Sequence, residues 1–349
     1  MPGTIREMLE GLEEQTLHPR AARSSRSGGR ERPEPEDDER PVYQRDRDRL
    51  VHSKAFRRLA GKTQVFLAPR GDHYRTRLTH TLEVAQVGRS IARALRLNEM
   101  LVEAMVMGHD LGHTPFGHAG ERLLDQVVAG GFHHVVQSVR VVEVLENGGA
   151  GLNLTAEVRD GIRRHSKGKG NVLLQGSGAQ ALTLEAEIVR LADIIAYVNH
   201  DLDDAMRAGL FGEGNVPAEI RRVLGDAPTP RFRTLVRDVI RASDVDGGGH
   251  IEMSREVHGA LLALRDFLYA RVYENPVVHD EFVKAQRILR DVWGWCREDG
   301  ERLARRFGVA VREGETLERA VTDFVSGMTD RFALATWEEL FVPRPWSVL

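Results

Sequence analysis

The sequence predicts an all-α protein, and three observations carry that prediction. Apolar residues recur at helical spacing over most of its length: Val84, Val87, Ile91 and Leu95, then Leu101, Ala104, Met105 and Gly108, then Ile188, Leu191, Ala192 and Ile195. No run alternates apolar with polar residues as a half-buried strand would. No pair of β-branched segments flanks an Asn-Gly turn; the one conceivable hairpin is Val65 to Tyr74, where Pro-Arg-Gly-Asp supplies turn residues.

Taken in order, residues 4 to 16 form a short helix. Residues 20 to 41, RAARSSRSGGRERPEPEDDERP, run basic, then Gly-rich, then acidic, and hold too little apolar surface to offset their ordering entropy. Residues 1–42 are therefore expected to be a mobile arm, a solvated tail in preference to a binding element. Helical periodicity dominates residues 43–210, interrupted by HSKGKGNVLLQGSGAQALT, a long loop of the kind that is often functional in a compact domain. Loop signals GDAPTPR and DVDGGGH follow a soft boundary near residue 210, and residues 211–349 return to helical spacing without a catalytic pattern. There is no internal repeat.

Composition narrows the function classes. With 349 residues, 41% of them hydrophobic, the chain can bury a large core in one or two domains. A formal net charge of -3 draws it neither to nucleic acid nor to a membrane, so an anionic ligand must be held by a local cluster. The single cysteine, Cys296, rules out an internal disulfide and fits a reducing compartment. No apolar stretch has signal-peptide or membrane-span length, and the expected location is the cytoplasm.

The histidines carry the chemistry. His80 lies one turn before Val84, and His109 one turn after Met105, so both face the core of their own helices. A lone inward histidine is usually a hydrogen-bonded core residue. Here GHDLGHTPFGHAGE follows His109 at once with Asp110, His113 and His118, and breaks the helix with Gly and Pro just where the polar groups gather. Metal binding explains that cost better than stability does. Imidazole and carboxylate together suit one divalent ion of intermediate hardness. A further carboxylate is needed, and RLADIIAYVNHDLDD offers Asp193, on a stripe with Tyr197 and Asp201 opposite the apolar one. That stripe either lines a cavity or is a solvated acidic face, and spacing does not choose between them.

At these residues the sequence resembles a known family. RLTHTLEVAQVGRSIA, GHDLGHTPFGHAGE and RLADIIAYVNHDLDD, preceded by RDRDRLVHSKAFRRLAGKTQVF, resemble the HD phosphohydrolases, and among them the bacterial deoxyguanosinetriphosphate triphosphohydrolase-like family. The match is strong from Tyr43 to Leu210 and weak in the C-terminal third. The resemblance implies an HD-domain helical bundle with a helical C-terminal extension, and hydrolysis of deoxynucleoside triphosphates to deoxynucleoside and inorganic triphosphate. It implies one divalent cation (Mn²⁺, Mg²⁺, Co²⁺ or Fe²⁺) on His80, His109, Asp110 and Asp193. His113, His118, Glu121 and His134 would serve the reaction centre. Gln64 and Arg77 would contact the nucleotide, Arg77 through phosphate, with Tyr197 against the sugar and Asp201 on its 3′-hydroxyl. A homo-oligomer and an allosteric nucleotide are further expectations.

Two departures stand out. His133 and His134 are adjacent, and Val135-Val136 follow them, where the family has one histidine flanked by asparagine. Ile194 replaces a basic residue found after the third-segment aspartate in some relatives, so phosphate binding shifts to Arg163, Arg164, His165 or Lys167. The alternatives to weigh are an HD phosphohydrolase acting on a monophosphate or cyclic nucleotide, and a nucleotide- or nucleic-acid-binding regulator. The intact set His80, His109, Asp110 and Asp193 argues against the regulator.

Overall fold

The computed structural model describes residues 3–64, 75–166 and 181–344, and within them it holds sixteen α-helices and only isolated β-bridges. The all-α prediction is met. The hairpin suggested near Val65 to Tyr74, and residues 167–180 of the Gly-rich loop with Lys167 among them, lie outside the described residues. No described helix is long and apolar enough to cross a membrane.

After α1 (Ile5–Thr16) come α2 (Val42–His52) and the short α3 (Lys54–Arg58). The central layer is α4 (Arg77–Ala94), α5 (Glu99–His109) and the 24-residue α9 (Leu184–Arg207), which pack on one another with α2 against the outside of α5. Each begins on a side chain that satisfies its free N–H groups: Thr76 for α4, Asn98 for α5, Thr183 for α9. The apolar stripes read from the sequence meet here, with Val84, Val87, Ile91, Leu101, Met105, Ile188, Leu191 and Ile195 all fully buried.

Between them run α6 (Gly117–Val127), α7 (His134–Arg140) and α8 (Ala156–Arg164). Two glycines let α5 and α8 touch backbone to side chain. A Cβ on Gly108 would come within 2.3 Å of Ile162, and one on Gly161 within 2.4 Å of Met105. That close approach brings His109 and His165, at the C-terminal ends of the two helices, to 5.0 Å between ring centroids.

The C-terminal helices are α10 (Ala218–Leu224), α11 (Pro228–Ala242), α12 (Arg255–Leu268), α13 (Pro276–Glu298), α14 (Gly300–Phe307), α15 (Leu317–Ser326) and α16 (Asp330–Phe341). Helix α12 lies along α9, and α13 packs on α6, α15 and α16. Buried Lys62 ties this region to the rest by donating to the carbonyls of His113 and Ser326.

The segment read as a mobile arm is seated on the core. Ala21, Arg23 and Ser24 are buried. Arg23 donates to the carbonyls of His18 and Ala21 at 3.0 and 2.8 Å, and Arg30 pairs with the fully buried Asp46. Glu157 accepts from Gly28 N at 2.6 Å, and Glu185 from Ala22 N at 3.0 Å. Composition misled because it counts apolar surface, whereas this segment is held by arginines on carbonyls and by buried carboxylates on its backbone.

Candidate metal centre and its cavity

Four ligand candidates converge from three helices. His80 comes from α4, His109 and Asp110 from the end of α5, and Asp193 from the middle of α9. His80 Nε2 lies 3.1 Å from Asp193 Oδ1, and His109 Nε2 lies 3.3 Å from Asp110 Oδ1 and 3.9 Å from Asp193 Oδ1. His80, His109 and Asp110 each place a donor atom within 4.8 Å of the others. Asp193, a quarter exposed, opens into a cavity of about 410 Å³.

The protonation of His109 tests whether a cation fits. Its Nδ1 donates to the Val106 carbonyl at 2.7 Å, so in the neutral ring Nε2 carries a lone pair. That nitrogen is fully buried, has no hydrogen-bond partner, and faces two carboxylate oxygens. A lone pair against carboxylates is repulsive unless a cation sits between them, and an outer carbonyl on the second ring nitrogen is the usual support of a metal-bound histidine. The donor set fits one divalent ion.

Around this point the remaining predicted residues fall into place unequally. His113 Nε2 is 3.2 Å from Asp110 Oδ1, and its ring stacks on His134 at 3.9 Å. Gly112 permits the stack, since a Cβ there would strike the backbone of Ser138 and His134 at 2.2 and 2.4 Å. Glu121 accepts from both the backbone N–H and Nδ1 of His134, at 2.8 and 2.7 Å, and this partner holds its carboxyl well below the usual range against the opposing effect of burial. His134 lines the cavity, while the exposed His133 caps α7 by accepting from Val135 N. His134 Nε2 faces His165 Nε2 at 3.3 Å, and His165 Nδ1 donates to the Ile162 carbonyl. Burial pushes His118 down to about 4, with the Arg77 charge adding to it, and His165 to about 3.

Gln64, Arg77 and Tyr197 line the cavity, and Arg77 is committed there to Asp110 Oδ2 at 2.8 Å. Asp201 is fully buried; it accepts from the Tyr273 hydroxyl, its second oxygen has no partner, and burial pushes its carboxyl up to about 7. Arg164 turns away to Asp160 at 2.5 Å and is not on the cavity wall.

Sequence reasoning missed the rest of the wall. Arg190 lines it one turn before Asp193, with its Nε buried and without a hydrogen-bond partner. The i−3 spacing to Asp193 was a visible signal. Arg265, Asp266 and Tyr269 come from the C-terminal region that had seemed to lack a catalytic pattern. Arg265, Tyr269 and Tyr273 are four residues apart, and the last two sit in a π-helical turn, Tyr269–Tyr273, a feature frequent at functional sites.

Comparison with known proteins gives the family. Residues 77–198 match the HD domain family, and residues 251–339 match the phosphohydrolase-associated domain. A deoxyguanosinetriphosphate triphosphohydrolase-like protein of Caldanaerobacter subterraneus subsp. tengcongensis is 49% identical over 98% of this chain and 97% of its own. One from Desulfatibacillum aliphaticivorans is 49% identical over 98% and 99%, and one from Clostridium perfringens 44% identical over 97% and 98%. With an HD domain around a buried histidine-aspartate centre, and near-full-length identity to these relatives, the chain belongs to the deoxyguanosinetriphosphate triphosphohydrolase-like family of HD-domain phosphohydrolases.

Proposed function

We propose that the protein hydrolyses deoxynucleoside triphosphates to deoxynucleoside and inorganic triphosphate, with one divalent cation held by His80, His109, Asp110 and Asp193. The bare, buried Nε2 of His109 between two carboxylates is the observation that carries the cation. The substrate class rests on the relatives' names, together with a cavity that joins cationic and aromatic walls. When bound, the cation supplies a Lewis acid that acidifies water and polarises a phosphoryl oxygen.

The chain's own residues do the remainder. Arg190 and Arg265 line the cavity and offer charge to a triphosphate tail, in place of the basic residue absent at Ile194. Arg77 holds the outer oxygen of Asp110, fixing that carboxylate while adding positive potential. His134 is oriented through Nδ1 by Glu121, so its Nε2 and that of His165, 3.3 Å apart, share the place where one proton can be held for the leaving oxygen. Tyr197 lines the cavity for the sugar, its hydroxyl 3.2 Å from that of Tyr273, which donates to the fully buried Asp201; acceptance of a 3′-hydroxyl by the unpartnered Asp201 oxygen requires that oxygen to become accessible. Self-association is part of the same reading, and the exposed Ile5, Met8 and Leu12 of α1 supply a surface for it.

The sugar pocket gives the test. Tyr197 against the sugar leaves little room at the 2′ carbon, so dGTP is expected to be cleaved well ahead of GTP. Tyr197→Ala is expected to erode that preference, measured as the ratio of kcat/KM values. Equal rates on dGTP and GTP in the unmodified protein contradict this pocket.

A further inference from the structure

We infer that Glu83 and His200 are positioning residues for the metal centre: together they fix the proton of His80 on Nδ1 and leave its Nε2 lone pair for the cation. This rests on the metal reading above and extends it to residues outside the ligand set. Glu83 Oε2 lies 2.6 Å from His200 Nε2. The N–H does not point squarely at that oxygen, but at this distance a carboxylate tolerates only a protonated nitrogen and not a second lone pair. His200 Nδ1 lies 3.4 Å from His80 Nδ1, the two rings edge-on at 88°. One of the two nitrogens has to donate, and with the His200 proton on Nε2 the donor is His80 Nδ1. The lone pair of His80 then sits on Nε2, 3.1 Å from the Asp193 carboxylate, a placement that is favourable only with a cation between the two.

Both histidine ligands are thereby presented through Nε2, by different means. The Val106 carbonyl takes the Nδ1 proton of His109, and the His200–Glu83 pair takes that of His80. The pair is itself anchored: Arg75 reaches Glu83 at 3.2 Å and also Asp203 and Asp204 at 2.9 and 2.8 Å. Helix α9 thus contributes a ligand, Asp193, and the group that orients a ligand on α4. A bland account also exists, in which His200 is a core histidine satisfied by Glu83 and nothing more. It predicts lost stability on substitution but no change in metal affinity.

The test is chelator competition on full-length protein loaded with Mn²⁺, with bound Mn²⁺ read by elemental analysis and folding by melting temperature. Removing an outer partner of a metal-bound histidine typically weakens metal binding by about 10- to 100-fold. That loss is expected for His200→Leu and for Glu83→Ala. His200→Gln is expected to stay close to the unmodified protein, because its amide oxygen can accept from His80 while its NH₂ donates to Glu83. Unmodified affinity in folded His200→Leu or in Glu83→Ala overturns the inference. Glu83 is more than a third exposed, so its variant decides the matter alone if His200→Leu does not fold. Failure of the metal reading itself looks different: the unmodified protein and Asp110→Ala would hold Mn²⁺ equally.

Discussion

Burial holds His118 near 4, and the neighbouring Arg77 charge works in the same direction, so with no anion beside it this histidine is neutral at physiological pH. The resemblance puts His118 at the reaction centre, and burial, which a sequence does not print, is what sets its charge there. An anionic triphosphate beside Arg77 offsets both effects and raises the value in the complex. As a second proton donor beside the His134–His165 pair, His118 would lose its contribution as pH rises through its pKa, so the falling limb should lie higher in kcat than in kcat/KM. His118→Ala should keep its metal and lower kcat by about 10²- to 10⁴-fold, measured on the same folded sample. Full activity in that variant would remove His118 from the mechanism. Other residues were legible because their signal is local. His109, Asp110, His113 and His118 crowd fourteen residues, and Asp193 repeats at helical spacing with Tyr197 and Asp201. Glu83 and His200 carried no such signal, since their role appears only once α4 and α9 are side by side.

At the scale of elements, the loop between α5 and α6 is held from the far end of the chain. Phe116, in the left-handed region at φ 60°, gives its backbone N–H to Asp330 at 2.8 Å, and Thr63 gives its own to the same carboxylate at 2.9 Å. A left-handed non-glycine residue costs roughly 1–2 kcal/mol, and Asp330 at the start of α16 offsets that cost from outside the loop. Asp330→Ala leaves the Phe116 N–H buried and unpaired, which should destabilise the fold by about 1–3 kcal/mol. It should also lower kcat of the folded fraction while metal content stays intact, because His113 and His118 lose their backing. Unchanged turnover in the folded fraction would reduce Asp330 to a structural clamp. The helices themselves were legible from apolar periodicity. Their cross-connections were not, and the C-terminal contribution of Arg265 and Tyr269 was hidden for the same reason: a cavity wall is a property of packing between distant segments.

The whole molecule joins a histidine-aspartate centre, formed where α4, α5 and α9 meet, to a cavity closed by the C-terminal helices. Its basic N-terminal segment, read from composition as solvated, lies seated on buried carboxylates, which shows how far polar pairing can order a chain that apolar content alone would leave loose. The central claim is attack of water at the α-phosphorus with departure of the deoxynucleoside. Hydrolysis of dGTP in ¹⁸O-labelled water, with products separated by chromatography and weighed by mass spectrometry, tests it most directly. Deoxyguanosine and inorganic triphosphate in equal amounts, the label in triphosphate alone, is the predicted result, absent in Asp110→Ala. Deoxyguanosine monophosphate with pyrophosphate, or label in the nucleoside, would contradict it.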